Sequence, residues 1–191
     1  MKRIIVGLTG ASGSILFKKT IEALVFKKIE IYLIATSNGE KVFEYELGKS
    51  FKQYIQDLNY KFLQLCEIDD MFSKVASGSF HVDGMIILPC SMGTIGKIAN
   101  CTSDNLLIRA CDVQIKEKTR VLLGFRETPL SSIHLNNLLT LSQAGVIIFP
   151  TVAAFYHHPQ SIDDITNQIV TRILSYFEIS LDTKIEWKGL I

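Results

Sequence analysis

Five short apolar, β-branched runs recur along the chain, at 4–8, 31–35, 85–88, 121–125 and 146–149, each separated from the next by enough residues for a crossover helix. A strand covered by helices on both faces reads as a continuous apolar run, so the pattern predicts an α/β fold with a mostly parallel central sheet flanked by helices. Helical spacing fills 14–26, 104–118, 132–144 and 161–177. The last is the clearest: Ile162, Ile165, Ile169, Ile173, Leu174 and Phe177 form one stripe, and Ser161 followed by Asp164 marks its start. The stretch 48–79, polar and aromatic by turns, has the weakest pattern and reads as partly helical. No repeat, low-complexity tract or Pro/Gly-rich linker divides the chain, so one domain spanning 1–191 is expected.

A chain of 191 residues can bury roughly 70% of its unfolded surface around a single core. Twenty Lys and Arg against 19 Asp and Glu leave a net charge of +1, which advertises no face for nucleic acid or anionic lipid. Although 48% of residues are hydrophobic, no apolar run approaches the roughly 18 residues of a membrane span. The excess is expected in a buried sheet and in subunit contacts. The apolar stretch beginning at Ile4 is too short for an export signal. Cys66, Cys90, Cys101 and Cys111 form no C-x-x-C pair, so neither a zinc site nor a disulfide framework is signalled and a reducing cytoplasm is the expected compartment.

In such a sheet, ligands bind where strands hand over to helices, because backbone N–H groups and helix N-termini point there. The first run leads into Gly7-Leu8-Thr9-Gly10-Ala11-Ser12-Gly13, spaced G-x-x-G-x-x-G, which is neither the dinucleotide G-x-G-x-x-G nor a phosphate loop with its Lys. A tight turn and a phosphate or ring cradle both fit it. The second leads into Thr36-Ser37-Asn38-Gly39, where a dinucleotide site would place an acid for the ribose; the nearest acid, Glu30, precedes the run. That disfavours NAD and favours a mononucleotide such as FMN. The third leads into Pro89-Cys90-Ser91-Met92-Gly93-Thr94, either a helix cap or a cradle for an anionic ligand.

Arg126 and Glu127 follow the fourth run, where charges must be paired or used. Arg109 and Lys116, seven residues apart on one predicted helix, share a face that either meets a phosphate or is solvated. Tyr156 precedes His157-His158-Pro159; adjacent histidines face one ion only if the backbone turns sharply, and no metal site is expected. Asp163 and Asp164 offset a helix N-terminus. Trp187, the sole tryptophan, sits in a tail, 178–191, expected to dock on the same or a neighbouring subunit.

Five blocks in this order resemble the flavin prenyltransferases, the UbiX family, nearly end to end. They are Gly7-Leu8-Thr9-Gly10-Ala11-Ser12-Gly13, Leu88-Pro89-Cys90-Ser91-Met92-Gly93-Thr94, Asp104-Asn105-Leu106-Leu107-Ile108-Arg109-Ala110, Arg126-Glu127-Thr128-Pro129-Leu130 and Phe155-Tyr156-His157-His158-Pro159-Gln160-Ser161. The resemblance implies a three-layer Rossmann-like fold, assembled into dodecamers. It implies an enzyme that joins the dimethylallyl group of dimethylallyl phosphate to reduced FMN, at N5 and then C6, without a metal. The prenylated FMN would serve a partner decarboxylase, with ubiquinone biosynthesis as an associated pathway.

Matched residue by residue, Gly10, Ala11, Ser12, Ser91, Met92, Gly93, Thr94 and Arg126 would hold FMN, with Ser12 near N5. Glu46 matches a family glutamate in the helix after the second strand, and Thr36, ten residues before it, falls where the family has a flavin-contacting serine; Ser37 competes for that place. Arg109, Lys116, Tyr156 and Arg172 would grip the allylic phosphate, some across subunit boundaries, and Trp187 would lie over the prenyl group. Glu127 matches the acid–base glutamate.

Breaking an allylic C–O bond leaves charge on phosphate and positive character on a five-carbon fragment, so cations must meet the first and π faces the second. Glu127 would either protonate the departing phosphate or collect the proton lost from C6. Two rivals remain at this level: an FMN-dependent cysteine-type decarboxylase of the same fold, and a non-catalytic FMN-binding subunit. Against the first stand Arg126-Glu127-Thr128-Pro129 and the lack of a P-x-M-N-type clamp.

Overall fold

The computed structural model describes residues 1–181; Trp187 and the rest of the tail from 182 onward lie outside the described residues. The described residues contain six strands: β1 (Arg3–Leu8), β2 (Glu30–Ala35), β3 (Leu63–Cys66), β4 (Gly84–Ile87), β5 (Val121–Phe125) and β6 (Ile147–Pro150). They form one sheet in the order β3-β2-β1-β4-β5-β6, and every pairing is parallel. The expected mostly parallel sheet is therefore wholly parallel among the described residues. β1 pairs with β2 on one side and β4 on the other, Ile5 lying opposite both Tyr32 and Met85. Chain order reverses between β1 and β4, and this switch point is where an open α/β sheet leaves a crevice at its carboxyl edge.

The five predicted runs are β1, β2, β4, β5 and β6. Ile4, Ile5, Val6 and Leu8 have no solvent exposure, as a central parallel strand requires. Glu30 opens β2 and does not precede it, but it stands at the edge opposite the strand's ligand end, held by Arg3 at 3.0 Å and by the Tyr32 hydroxyl. The sixth strand, β3, lies in the stretch with the weakest pattern.

Helices α1 (Ser14–Phe26), α2 (Ser37–Leu47), α3 (Phe51–Leu58) and α7 (Ile162–Ser175) pack on one face of the sheet, around Phe17, Phe43, Phe51 and Ile173. On the other face, α4 (Met92–Ala99), α5 (Leu106–Lys116) and α6 (Ser132–Gln143) gather Ile95, Leu107, Cys111 and Leu141. The result is the expected three-layer Rossmann-like arrangement. Side-chain oxygens of Thr36, Ser50, Ser91, Asn105, Ser131 and Ser161 cap their helices by accepting a backbone N–H. The predicted start at Ser161 is one of these, its Oγ accepting from the Asp164 amide at 3.1 Å. Within the α7 stripe, Ile169, Ile173, Leu174 and Phe177 are buried, whereas Ile162 is 77% exposed and belongs to no core.

Candidate active site

At the carboxyl edge of β1 and β4, three loops close around a cleft of about 500 Å³, within the range of small-ligand sites. Gly10 comes from the first loop, Thr36 and Ser37 from the second, and Ser91, Gly93 and Thr94 from the third. The opposing wall is the start of α5, with Asp104, Asn105, Leu107 and Ile108. The first three strand ends singled out in the sequence thus meet at this cleft, while Ala11, Ser12, Met92 and Arg126 are not among its lining residues. A larger hollow of about 620 Å³ lies at the opposite edge, among Lys2, Asp83, Arg120 and Glu178, and holds none of the predicted site residues.

Local geometry explains the loops. Gly13 adopts φ +125, a conformation that side chains disfavour, to turn β1 into α1. A Cβ on Gly10 would come within 2.7 Å of the Asn38 Cβ, so glycine lets the first two loops touch. The Thr36 hydroxyl accepts from the Gly39 amide at 3.0 Å and is half-buried, while Ser37 is exposed. Ser91 Oγ accepts from the Thr94 amide at 3.3 Å and lies 3.0 Å from the Thr94 hydroxyl.

Glu46, three residues after the buried Phe43 on α2, reaches the start of α1. Its carboxylate accepts from the amides of Gly13 at 3.1 Å and Ser14 at 2.7 Å. Burial pushes this carboxyl up, but hydrogen bonds from the Ser12 hydroxyl and from those amides outweigh it and hold the group below the usual carboxylate range. Ser12 itself is exposed, and Ala11 is half-buried, its amide donating to the Thr9 carbonyl at 2.8 Å. Met92, the first residue of α4, is half-buried.

Arg126 and Glu127 follow β5 at the same edge and are both exposed. Glu127 accepts only from the neighbouring Thr128 amide, at 3.1 Å, and Arg126 forms no ion pair among the described residues. Mutual pairing, the structural alternative for these charges, is not made.

The cations expected on the phosphate are not brought to the cleft by this single chain. Arg109 donates to the Ala76 carbonyl at 3.3 Å and to Asp112 at 3.0 Å, and Lys116 pairs with Glu117 at 3.1 Å. Arg172 stands in the last turn of α7, its guanidinium 5.0 Å from the Tyr176 ring centroid. The carbonyls ending that helix are bound by Lys2 and Arg120 at the opposite edge of the sheet. Tyr156 is 57% exposed and packs on the His157 ring at 4.2 Å between centroids.

Sequence reasoning missed Asn38, Asp69, Lys97 and Asn105 among the lining residues. Asn105 carried a signal, a cap residue directly before Leu106-Leu107-Ile108, and its side chain does accept from the Ile108 amide at 3.1 Å. Asp69 follows the unrecognised β3, and Lys97 pairs with Asp104 at 2.5 Å across the cleft wall. Among the described residues, no cluster of His, Cys, Asp and Glu could hold a metal ion, and no helix is long and apolar enough to cross a membrane.

A wholly parallel sheet with glycine and hydroxyl loops meeting at its switch point defines a nucleotide-binding α/β protein, and the flavoprotein family model matches residues 1–174. Flavin prenyltransferase UbiX of Chlamydia pneumoniae is 43% identical over 99% of this chain and 99% of its own length. The mitochondrial flavin prenyltransferase PAD1 of Saccharomyces cerevisiae is 41% identical, over 99% of this chain and 76% of its own. The solved structure of AnUbiX (PadA1) in complex with FMN and dimethylallyl pyrophosphate superposes with a TM-score of 0.91 at 40% identity, covering 100% of this chain and 99% of that one. The chain belongs to the flavin prenyltransferases of the flavoprotein family. Cypemycin decarboxylase, at 14% identity and a TM-score of 0.63, shares the fold alone.

Proposed function

We propose that this chain joins the dimethylallyl group of dimethylallyl phosphate to reduced FMN, at N5 and C6, and that the prenylated FMN passes to a decarboxylase. The observation that carries the reading is the convergence of Gly10, Thr36, Ser91, Gly93 and Thr94 on one cleft, in a chain related end to end to flavin prenyltransferases. FMN fits these residues: Gly10, where a Cβ would come within 2.7 Å of the Asn38 Cβ, lets the first two loops close together, and Gly93 has open space around it on the cleft. Hydroxyls and amides of the three loops suit ribityl and phosphate oxygens, and Arg126, which follows β5 at the same sheet edge and has no ion pair among the described residues, would add a guanidinium.

Bound reduced flavin supplies the nucleophile, and the protein orients the two reactants and excludes water. Ser12, in the loop after β1, would face N5 of the flavin with its hydroxyl, and Glu46, which binds the amides of Gly13 and Ser14 next to it, would hold that loop in place. Glu127, exposed and without an ion-pair partner among the described residues, would give a proton to phosphate or take one from C6. Arg109, Lys116, Tyr156 and Arg172 would meet the allylic phosphate across subunit boundaries, since one chain leaves Arg109, Lys116 and Arg172 away from its own cleft. Trp187, which lies outside the described residues, would lie over the prenyl group, with the tail 178–191 docking on the same or a neighbouring subunit.

That division needs an oligomer. Ile133, Leu135 and Leu139 of α6, and separately Val152 and Phe155, are more than half exposed, apolar side chains that subunit contacts would cover. The FMN-dependent UbiX-like decarboxylase of Escherichia coli O157:H7, 38% identical with a TM-score of 0.90, is dodecameric, and a dodecamer is the assembly proposed for this chain. The cytoplasm is its proposed compartment and ubiquinone biosynthesis its proposed pathway. The reading is tested by incubating the protein anaerobically with reduced FMN, dimethylallyl phosphate and a chelator. Release of one inorganic phosphate per flavin consumed is expected; no release beyond the flavin-only control counts against it.

A further inference from the structure

We propose that Thr9 is a positioning residue for the flavin, acting through the two loops that it joins; the inference rests on the flavin reading given above. Thr9 follows β1 directly and is 1% exposed. Its hydroxyl donates to the Pro89 carbonyl at 2.8 Å and accepts from the Ser91 amide, also at 2.8 Å. Its own amide reaches the Pro89 carbonyl at 3.3 Å, and its carbonyl accepts from the Ala11 amide at 2.8 Å. One residue therefore stitches the first loop to the third across the switch point, using both hydrogen-bonding capacities of its hydroxyl.

The consequence falls on Ser91. Its hydroxyl caps α4 and meets Thr94, so the direction of the whole Ser91–Thr94 cradle depends on where the Ser91 backbone is held. The Thr9 hydroxyl fixes it, and the Thr9 carbonyl at the same time fixes the turn that carries Gly10 and Ala11. Without the hydroxyl, the Ser91 amide loses its acceptor, and the two loops keep only the longer bond from the Thr9 amide to the Pro89 carbonyl, at 3.3 Å, to hold them at one separation. A rigid ring system bridging them would then have to order the loops on binding, which weakens affinity and need not lower the stability of the fold.

The test compares FMN titrations, read by flavin fluorescence, with melting of the flavin-free protein. Thr9→Val keeps the shape and removes the hydroxyl, while Thr9→Ser keeps the hydroxyl. Thr9→Val is expected to weaken FMN about tenfold, the effect of losing one or two buried hydrogen bonds, and Thr9→Ser should stay within about twofold of the unsubstituted protein. Unchanged FMN affinity in Thr9→Val, whatever its melting temperature, overturns the inference, as does Thr9→Ser binding as weakly as Thr9→Val. If Thr9→Val does not fold, Thr9→Ser against Thr9→Ala isolates the hydroxyl: tighter binding by Thr9→Ser is expected, and equal affinities overturn the role. Failure of the unsubstituted protein to bind FMN instead overturns the flavin reading itself.

Discussion

Glu46 Oε2 lies 2.7 Å from the backbone nitrogen of Ser14, so a carboxylate from α2 occupies the N-terminus of α1. In related nucleotide folds a ligand phosphate takes that position; here the protein supplies the anion itself. Because its folded-state pKa is depressed, Glu46 contributes stability that is present above the unfolded carboxyl pKa, about 4.3, and lost as pH falls through the folded value. Glu46→Gln should therefore cost about 1 kcal/mol at pH 7, after allowing for solvent screening. Urea unfolding at several pH values checks this, with the difference from the unsubstituted protein shrinking towards acid.

The same helix is anchored by Phe43, fully buried, whose ring centroid lies 5.9 Å from Phe17, 5.5 Å from Phe51 and 5.1 Å from Tyr54. Phe43→Ala should destabilise the fold by roughly 3–5 kcal/mol and loosen Glu46 with it. Thermal unfolding, followed by hydrogen exchange at the Gly13 and Ser14 amides, measures both effects.

Glu127→Gln removes the proposed proton carrier without touching the cleft lining. Turnover should fall by roughly 10²–10⁴-fold with FMN affinity unchanged. Pre-steady-state assays and a parallel flavin titration separate the two, and loss of flavin in this variant would contradict the role assigned to Glu127.

Tyr156→Phe deletes one hydroxyl from the loop proposed to meet the phosphate. Dimethylallyl phosphate should bind about five- to tenfold more weakly, while FMN binds as before. Separate titrations of the two ligands decide it.

Much of this was legible because buried parallel strands write themselves as unbroken apolar runs, and because turns at their ends demand Gly, Ser and Thr. What escaped shows the limits of that code. β3 is a four-residue edge strand, Leu63-Gln64-Leu65-Cys66, of which only Cys66 is buried, so it lacks the continuous run that revealed the others. α2 begins with Ser37-Asn38-Gly39, a turn signature, and buries only Gly39 and Phe43; tertiary packing, not propensity, makes it helical. With β3 unread, Asp69 could not be assigned to a strand end. Arg109, Lys116 and Arg172 were legible as charges, but their distance from this chain's cleft follows from packing, which only coordinates reveal.

The central claim is that one cleft brings a reduced flavin and an allylic phosphate together to react. The most direct measurement is the mass of the flavin recovered after anaerobic incubation of the full-length protein with reduced FMN and dimethylallyl phosphate. Flavin heavier by one isoprene unit is the predicted result; FMN recovered at its original mass, from protein that demonstrably binds both compounds, would contradict it.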